Sequence, residues 1–344
     1  MSEQHRFPWP RASVTGVGSL PGTEPDEAAR TVSGELPEFV HLAELPDRGP
    51  GADLVGRAAA TLVDFPVEVQ PSGWRVADRP GRDLWRARSL LSADLDAAEE
   101  HTQGYTGPFK LQLAGPWTLA ATLELRTGQP LLADSGAVRD LSCAHAEGLA
   151  AHLAEIQRRI PGGHLVVQLD EPALTAVRDG RVPTASGYGR IAAPDPTTLQ
   201  EHLREACAVI ETAGAVPVVH CCAENPPIEL LRRSGARAVG LDATLLEEEH
   251  DEPLAAAVEA GIALFLGLAA RTGGEPSDPA ATVDPVRTLW HRTGLDPETL
   301  SDTVVVTPRC GLVGLAPTTV REVLADCHTA ARVLREEPRR DGRK

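Results

Sequence analysis

Short apolar runs alternate along the chain with longer amphipathic segments. Eight runs rich in aliphatic and β-branched residues occur, at 13–17, 39–42, 109–113, 164–169, 216–220, 236–241, 262–266 and 303–307. Their hydrophobicity is continuous rather than alternating, which is typical of strands buried on both faces of a parallel sheet. Apolar residues recur at helical spacing between the runs, over 52–63, 84–101, 135–160, 196–212, 227–234, 252–260, 279–292 and 317–335.

Eight alternations of strand and helix predict a (β/α)8 TIM barrel of the α/β class. A doubly wound open sheet has the same alternation and stays as the alternative. Segment 64–80 is an extra excursion after the second predicted strand. No shift in composition marks a boundary, so we expect a single domain over 1–344, with a core of about 12–335 and a polar tail at 336–344.

Composition narrows the possible partners. The chain has 344 residues, with Lys+Arg 33 against Asp+Glu 49 and a formal net charge of −16. Nucleic-acid binding needs concentrated basic residues, so this excess of acid disfavours a nucleic-acid partner. No apolar stretch approaches the roughly 20 residues that span a bilayer, and the N-terminus lacks the apolar core of a signal peptide. We therefore predict a cytoplasmic protein with no membrane partner and with its six cysteines reduced.

Candidate chemistry lies at the ends of the predicted strands, because barrel active sites form at the C-terminal ends of strands. His220 and Cys222 are two residues apart after the fifth run, so both leave one face of an extended segment while Cys221 leaves the other. Asp242 follows the sixth run and Cys310 the eighth. One imidazole, two thiols and a carboxylate match the ligand types of a Zn²⁺ site. Taken singly, a cysteine is more often a small buried hydrophobe.

Five motifs of this chain resemble those of the cobalamin-independent methionine synthases, in the family's order. V-G-S at 17–19 is similar to I-G-S, and G-P-W-T at 115–118 to G-P-V-T. Q-L-D-E-P-A-L at 168–174 is similar to Q-x-D-E-P-A-L, and H-C-C at 220–222 and C-G-L at 310–312 resemble the zinc motifs. Each motif alone is weak, but the ordered set is specific and covers nearly the whole chain.

The resemblance implies a barrel of the kind shared with uroporphyrinogen decarboxylase, in which zinc binds a substrate thiol that then receives a methyl group. It implies zinc ligands at His220, Cys222 and Cys310, with Asp242 in the fourth place, where the family usually has Glu. Physical chemistry agrees with this role, because a free thiol is mostly protonated at neutral pH whereas a zinc-bound thiol is deprotonated.

The resemblance also implies an acceptor site for a homocysteine-like thiol. Asp170 would bind its amino group, and Gly18 and Ser19 would hold its carboxylate, through backbone N–H groups. The simpler alternatives are a loop-capping role for Asp170 and turn chemistry for Ser19. Trp117 on the same rim either forms an apolar wall for the methyl donor or packs the first turn of a helix.

Two departures from the family pattern concern the acceptor and the donor. The family's second acceptor-binding carboxylate is the Glu of G-E-x-x-R-x-D-M-V. This chain has D-R-G-P-G-A-D-L-V at 47–55, so Arg48 stands at the position of that Glu. Glu44, on the same predicted rim, is the candidate to replace it. The family's histidine after the seventh strand, implicated in proton transfer to the departing folate, has no counterpart in G-L-A-A-R-T at 267–272. The chain also has room for only the catalytic barrel of the two-barrel family enzymes, which leaves the donor open.

Four functions follow from these observations. We favour a zinc-dependent S-methyltransferase that methylates homocysteine or a related small thiol, with the donor left open between a methylated folate and a methylated corrinoid. The second hypothesis takes the methyl group from a methylated corrinoid or a corrinoid protein, for this or another thiol. A uroporphyrinogen-type decarboxylase fits less well, because the rim is rich in thiols and carboxylates rather than basic residues. The alternative from another class is a non-catalytic barrel that binds zinc or thiols.

Overall fold

The computed structural model describes residues 6–269 and 279–336, so most of the predicted polar tail lies outside the described residues. The strands in these ranges are β1 Val40–His41, β2 Val67–Gln70, β3 Gly73–Val76, β4 Pro108–Ala114, β5 His164–Asp170, β6 Val216–His220, β7 Ala238–Asp242, β8 Ala263–Ala269 and β9 Val304–Pro308. The α-helices are α1 Pro25–Glu35, α2 Leu54–Thr61, α3 Arg82–His101, α4 Pro116–Thr122, α5 Ser135–Arg159, α6 Leu174–Arg178, α7 Pro196–Thr212, α8 Ile228–Arg233, α9 Asp251–Glu259, α10 Pro279–Thr293, α11 Leu300–Thr303 and α12 Pro317–Glu336. No helix within the described ranges is long and apolar enough to cross a membrane.

Seven strands form one parallel sheet in the order β1-β4-β5-β6-β7-β8-β9. Helices connect its successive strands, which confirms the predicted α/β class. The remaining strands, β2 and β3, form an antiparallel hairpin that accounts for the predicted excursion at 64–80. Parallel pairing brings the C-terminal ends of all seven strands to one edge of the sheet, where the candidate residues lie.

The first predicted strand, 13–17, is not a regular strand. Its segment makes two isolated parallel bridges, Val14 with Val306 of β9 and Ser19 with Glu44 just beyond β1. Between the bridges, the carbonyl of Val17 accepts hydrogen bonds from side chains of β4 and β5 instead of from a backbone ladder. Because β1 and β9 are the two edges of the sheet, a segment that contacts both requires the sheet to curl.

The concave face of the curled sheet has an apolar floor. Val166, Val218 and Phe265 belong to one buried cluster there, together with Trp9 and Phe39. The Trp9 ring lies 5.6 Å from Phe39 and meets Phe265 edge-on at 5.2 Å. Since side chains alternate along a strand, the residues two and four positions beyond Val166 lie on this same face, nearer the C-terminal edge. The opposite face packs against the helices in a second, larger core.

Candidate active site

Asp170 and His220 face each other at the ends of β5 and β6, where the parallel register pairs them. The His220 Nδ1 lies 2.6 Å from Asp170 Oδ1, and the two side chains are only 10% and 9% exposed. An ionised carboxylate can only accept, so Nδ1–H donates and the ring lone pair is left on Nε2. This is the arrangement that orients a metal-binding imidazole. On the neighbouring strand, a Cβ at Gly240 would approach the ring to 2.9 Å, so glycine provides its space.

The thiols of Cys222 and Cys310 are neighbours at the same edge. The interaction with Cys310 raises the pKa of Cys222 far above its usual value, and burial and the charge of Cys310 add to the effect. Two adjacent thiolates repel each other, and a bound cation would remove that cost. Cys221 points the other way, as its spacing predicts, and its buried sulfur lies 3.8 Å from Thr175 Oγ1 of α6.

Asp242 is held locally at the end of β7. Its Oδ1 accepts hydrogen bonds from the Thr244 backbone N–H at 2.9 Å and from the Thr244 hydroxyl at 2.7 Å. Among the residues that the structure describes, no three His, Cys, Asp or Glu side chains surround a common point as metal ligands do. The structure thus brings together two pairs, Asp170 with His220 and Cys222 with Cys310. Asp242 instead caps the helical turn that follows β7. A thiol pair and an imidazole with its Nε2 lone pair available remain the donor types that Zn²⁺ selects.

Lys110, in the middle of β4, is a functional candidate that sequence reasoning missed. It is completely buried, and its ammonium donates to the Val17 carbonyl at 2.9 Å and to Gln112 Oε1 and Gln168 Oε1 at 3.0 Å each. A signal was present, because lysine occurs only here and at Lys344, and position 110 lies inside an apolar run. The concave face above the apolar floor is therefore polar and carries a buried cation.

Glu44 lies beyond the end of β1 and is 5% exposed. Burial raises its pKa to about 7, opposed by the charge of Arg57 and reinforced by that of Asp170. The Arg57 Nε lies 3.4 Å from Glu44 Oε1, and Arg57 also pairs with Asp94. Asp94 of α3 also pairs with Arg48 at 2.6 Å. Arg48, which stands at the position of the family's Glu, therefore belongs to the same ion-pair network as Arg57 of α2. Glu44 Oε1 has no hydrogen-bond partner in the described part of the chain.

The turn at Gly18 and Ser19 is enclosed on two sides. A Cβ at Gly18 would lie 2.8 Å from Gln112 Cγ, so only glycine fits there without displacing that side chain. The Ser19 carbonyl accepts a hydrogen bond from the Leu312 N–H at 2.8 Å. The Ser19 hydroxyl lies against Gly311, and a side chain at position 311 would collide with this hydroxyl. The V-G-S and C-G-L motifs are thus in direct contact.

Trp117 packs within the helical layer. It is 1% exposed, and its indole N–H donates to the Leu199 carbonyl at 2.9 Å. This placement favours the packing role over a wall for the donor. The buried Glu171 accepts hydrogen bonds from the backbone N–H groups of Trp117 at 3.0 Å and Thr118 at 2.7 Å, and from the Thr118 hydroxyl at 2.8 Å. Glu171, to which the sequence assigned no role, therefore caps α4.

Comparison with known proteins identifies the family and the fold of the chain. The family described as the cobalamin-independent synthase catalytic domain matches residues 12–333. A B12-independent methionine synthase from Shewanella sp. W3-18-1, solved in complex with selenomethionine, has a TM-score of 0.64 at 15% identity, with 95% of this chain and 98% of that chain covered. A 3-keto-D-glucoside 4-epimerase from E. coli has a TM-score of only 0.42 at 12% identity, with 70% and 86% covered. No curated protein sequence matches the chain.

The family match covers most of the chain and includes every motif that contributes to the two pairs at the sheet edge. The solved methionine synthase independently shows the same fold over nearly the full length of both chains. The chain belongs to the family of cobalamin-independent methionine synthase catalytic domains.

Proposed function

We propose that this protein transfers a methyl group to the thiol of homocysteine at a zinc site. His220, Cys222 and Cys310 would hold the metal, with Asp242 as the fourth donor. The observation that carries the proposal is the pair of neighbouring thiols at the same edge as an imidazole oriented by Asp170. Bound zinc would keep the substrate thiol deprotonated near neutral pH.

The chain's own carboxylates support recognition of the α-amino group. Asp170 uses Oδ1 for His220 and Gln168, which leaves Oδ2 for an ammonium. Glu44 supplies a second buried carboxylate, whose Oε1 has no hydrogen-bond partner among the described residues, although it lies 3.4 Å from Arg57 Nε. Backbone N–H groups of the turn at Gly18 and Ser19 would hold the acceptor's carboxylate.

We propose a methylated folate as the donor, since the matching family is cobalamin-independent and the similar solved methionine synthase is B12-independent. The sulfur–carbon bond forms as the carbon–nitrogen bond of the donor breaks, and the departing nitrogen takes a proton. Fixing the thiolate and the methyl carbon in line contributes much of the rate.

Closure of the barrel is part of the same proposal, and we infer that segment 13–20 completes a single-domain (β/α)8 barrel. Its parallel bridges to β9 on one side and to Glu44 beyond β1 on the other support this closure. Closure would place the turn at Gly18 and Ser19 in the ring of strand ends that surrounds the thiol pair.

Metal analysis of protein purified without chelator tests the proposal, together with methionine formation from homocysteine and methylated tetrahydrofolate. We expect about one zinc per chain, lost in Cys222→Ala and Cys310→Ala. The matched control is Cys143→Ala, because that thiol is exposed on α5. Zinc-free wild-type protein, or zinc retained in both site variants, would refute the metal site. Methyl transfer only from methylcobalamin would favour the corrinoid hypothesis, and zinc without transfer to any thiol would favour the non-catalytic barrel.

A further inference from the structure

Lys110 is a buried cation to which the proposed reaction assigns no role. An ammonium has three N–H groups, and here each has an acceptor: the Val17 carbonyl at 2.9 Å, and Gln112 Oε1 and Gln168 Oε1 at 3.0 Å each. With all three donors engaged by neutral oxygens, the amine is held in one place and carries no lone pair for nucleophilic chemistry. Its role must therefore be exerted through the groups it binds.

Two of the acceptors, Val17 and Gln168, connect Lys110 with the groups proposed to bind the two ends of the acceptor amino acid, its carboxylate and its amino group. Val17 directly precedes Gly18 and Ser19, the turn proposed to hold the acceptor's carboxylate. Gln168 donates from Nε2 to Asp170 Oδ1 at 2.7 Å and to the Val17 carbonyl at 3.0 Å. One ammonium thus connects the carboxylate-binding turn with the carboxylate proposed to bind the acceptor's amino group.

The remaining acceptor, Gln112, connects Lys110 with the segment that carries Glu44, the other carboxylate proposed to bind the amino group. Gln112 donates from Nε2 to the Leu42 carbonyl at 2.6 Å, two residues before Glu44. Its side chain also fills the space next to Gly18, where a Cβ would come within 2.8 Å of it. Lys110, Gln112 and Gln168 therefore form one hydrogen-bonded frame, here called the lysine frame.

We propose that Lys110 is the positioning residue of the acceptor site, and that the lysine frame makes the protein specific for α-amino acid thiols over simple alkyl thiols. The inference rests on the proposed function and deepens it. Burial lowers the pKa of Lys110 to about 8, opposed by the charges of Asp170 and Glu44, so the amine is mostly protonated at pH 7. A buried cation is costly unless its charge is compensated, and here three hydrogen-bond acceptors and the charges of these carboxylates provide that compensation.

Binding of two thiols to zinc-loaded protein tests the inference by calorimetry. Homocysteine engages both the metal and the proposed acceptor groups, whereas 1-propanethiol engages only the metal. Lys110→Met removes the three donors with little change in shape, and we expect its preference for homocysteine over 1-propanethiol to fall about tenfold or more. Gln168→Met removes one arm of the frame and should lower the same ratio by a smaller factor. The control is Thr15→Val, which removes a buried hydrogen bond, from Oγ1 to the Phe39 carbonyl at 3.1 Å, outside the frame.

The preference ratio separates positioning from general damage, because a destabilised fold weakens the binding of both thiols. If Lys110→Met does not fold, Gln168→Met carries the test on the same ratio. Unchanged ratios in the variants that fold, or equal losses for both thiols, would overturn the role of Lys110 while leaving the proposed function intact. A wild-type protein without preference for homocysteine would instead refute the proposed acceptor, and the inference with it.

Discussion

If His220 binds zinc as proposed, its hydrogen bond to Asp170 predicts how strongly the affinity for zinc depends on one carboxylate. In Asp170→Asn a neutral amide of nearly the same shape replaces the charged acceptor, so the imidazole can keep its orientation. In Asp170→Ala the acceptor is removed and the Nδ1–H of His220 is left buried without its partner. The two variants therefore separate the effect of the charge from the effect of the hydrogen bond.

The structure sets the size of each effect. The Nδ1–Oδ1 distance is 2.6 Å and the side chains are 10% and 9% exposed, so the interaction is short and largely shielded from water. Hydrogen bonds to charged groups contribute about 1.5–3 kcal/mol and neutral ones about 1 kcal/mol. Asp170→Asn should therefore cost about 0.5–2 kcal/mol, or about 2- to 30-fold in zinc affinity. Asp170→Ala should cost more, up to about 100-fold, as for other partners of metal-bound histidines.

Competition with a chromophoric chelator at fixed pH measures these affinities. Asp78→Asn is the matched control, because Asp78 is a surface carboxylate, 71% exposed, paired with Arg126. We expect the order of affinity to be control, then Asp170→Asn, then Asp170→Ala. Wild-type affinity in Asp170→Ala would show that the carboxylate does not orient the His220 ring for the proposed metal. Equal losses in the two variants would assign the whole effect to charge.

Two further predictions concern stability. Glu171→Ala leaves the buried N–H groups of Trp117 and Thr118 without their acceptor, so the free energy of unfolding in urea should fall by about 3 kcal/mol or more. A loss below about 1 kcal/mol would refute the capping role. Burial lowers the pKa of His145 to about 4 from 6.5, so its stabilising contribution is complete above pH 6.5 and is lost as the pH falls toward 4. His145→Gln can still donate to the Ala114 carbonyl, and its loss of unfolding free energy between pH 7 and 4.5 should be about 2–3 kcal/mol smaller than that of wild type; identical pH profiles would contradict this.

Continuous apolar runs predicted the seven strands of the main sheet because both faces of those strands are buried, which is a property that sequence records directly. The run at 13–17 failed as a regular strand because its pairing is interrupted at Val17, whose carbonyl accepts hydrogen bonds from side chains of β4 and β5, a long-range effect. Helix α1 was missed because only Ala28 and Val32 are buried on it, which leaves too narrow an apolar stripe.

The sequence predicted those site residues that directly follow a strand, but not the contacts between them. His220 and Asp170 emerged from that rule and are in contact, but their hydrogen bond joins residues 50 positions apart, and local spacing does not encode it. The cap of α4 by Glu171 is of the same kind. Lys110 and Gln112 could have been found, because two polar residues two positions apart within an apolar run mark a polar inner face.

The division of the concave face into two levels explains how the fold holds so many buried polar groups. The floor, built around Trp9 and Phe265, excludes water through stacked and edge-on aromatic contacts. The level above it holds Lys110, Gln168 and Asp170, whose hydrogen bonds limit the cost of burial without making the level a source of stability. Well-packed apolar replacements at such positions are often neutral or stabilising. The polar level is therefore better explained by ligand binding than by folding, whereas the floor and the helical layer supply the stability that lets it exist.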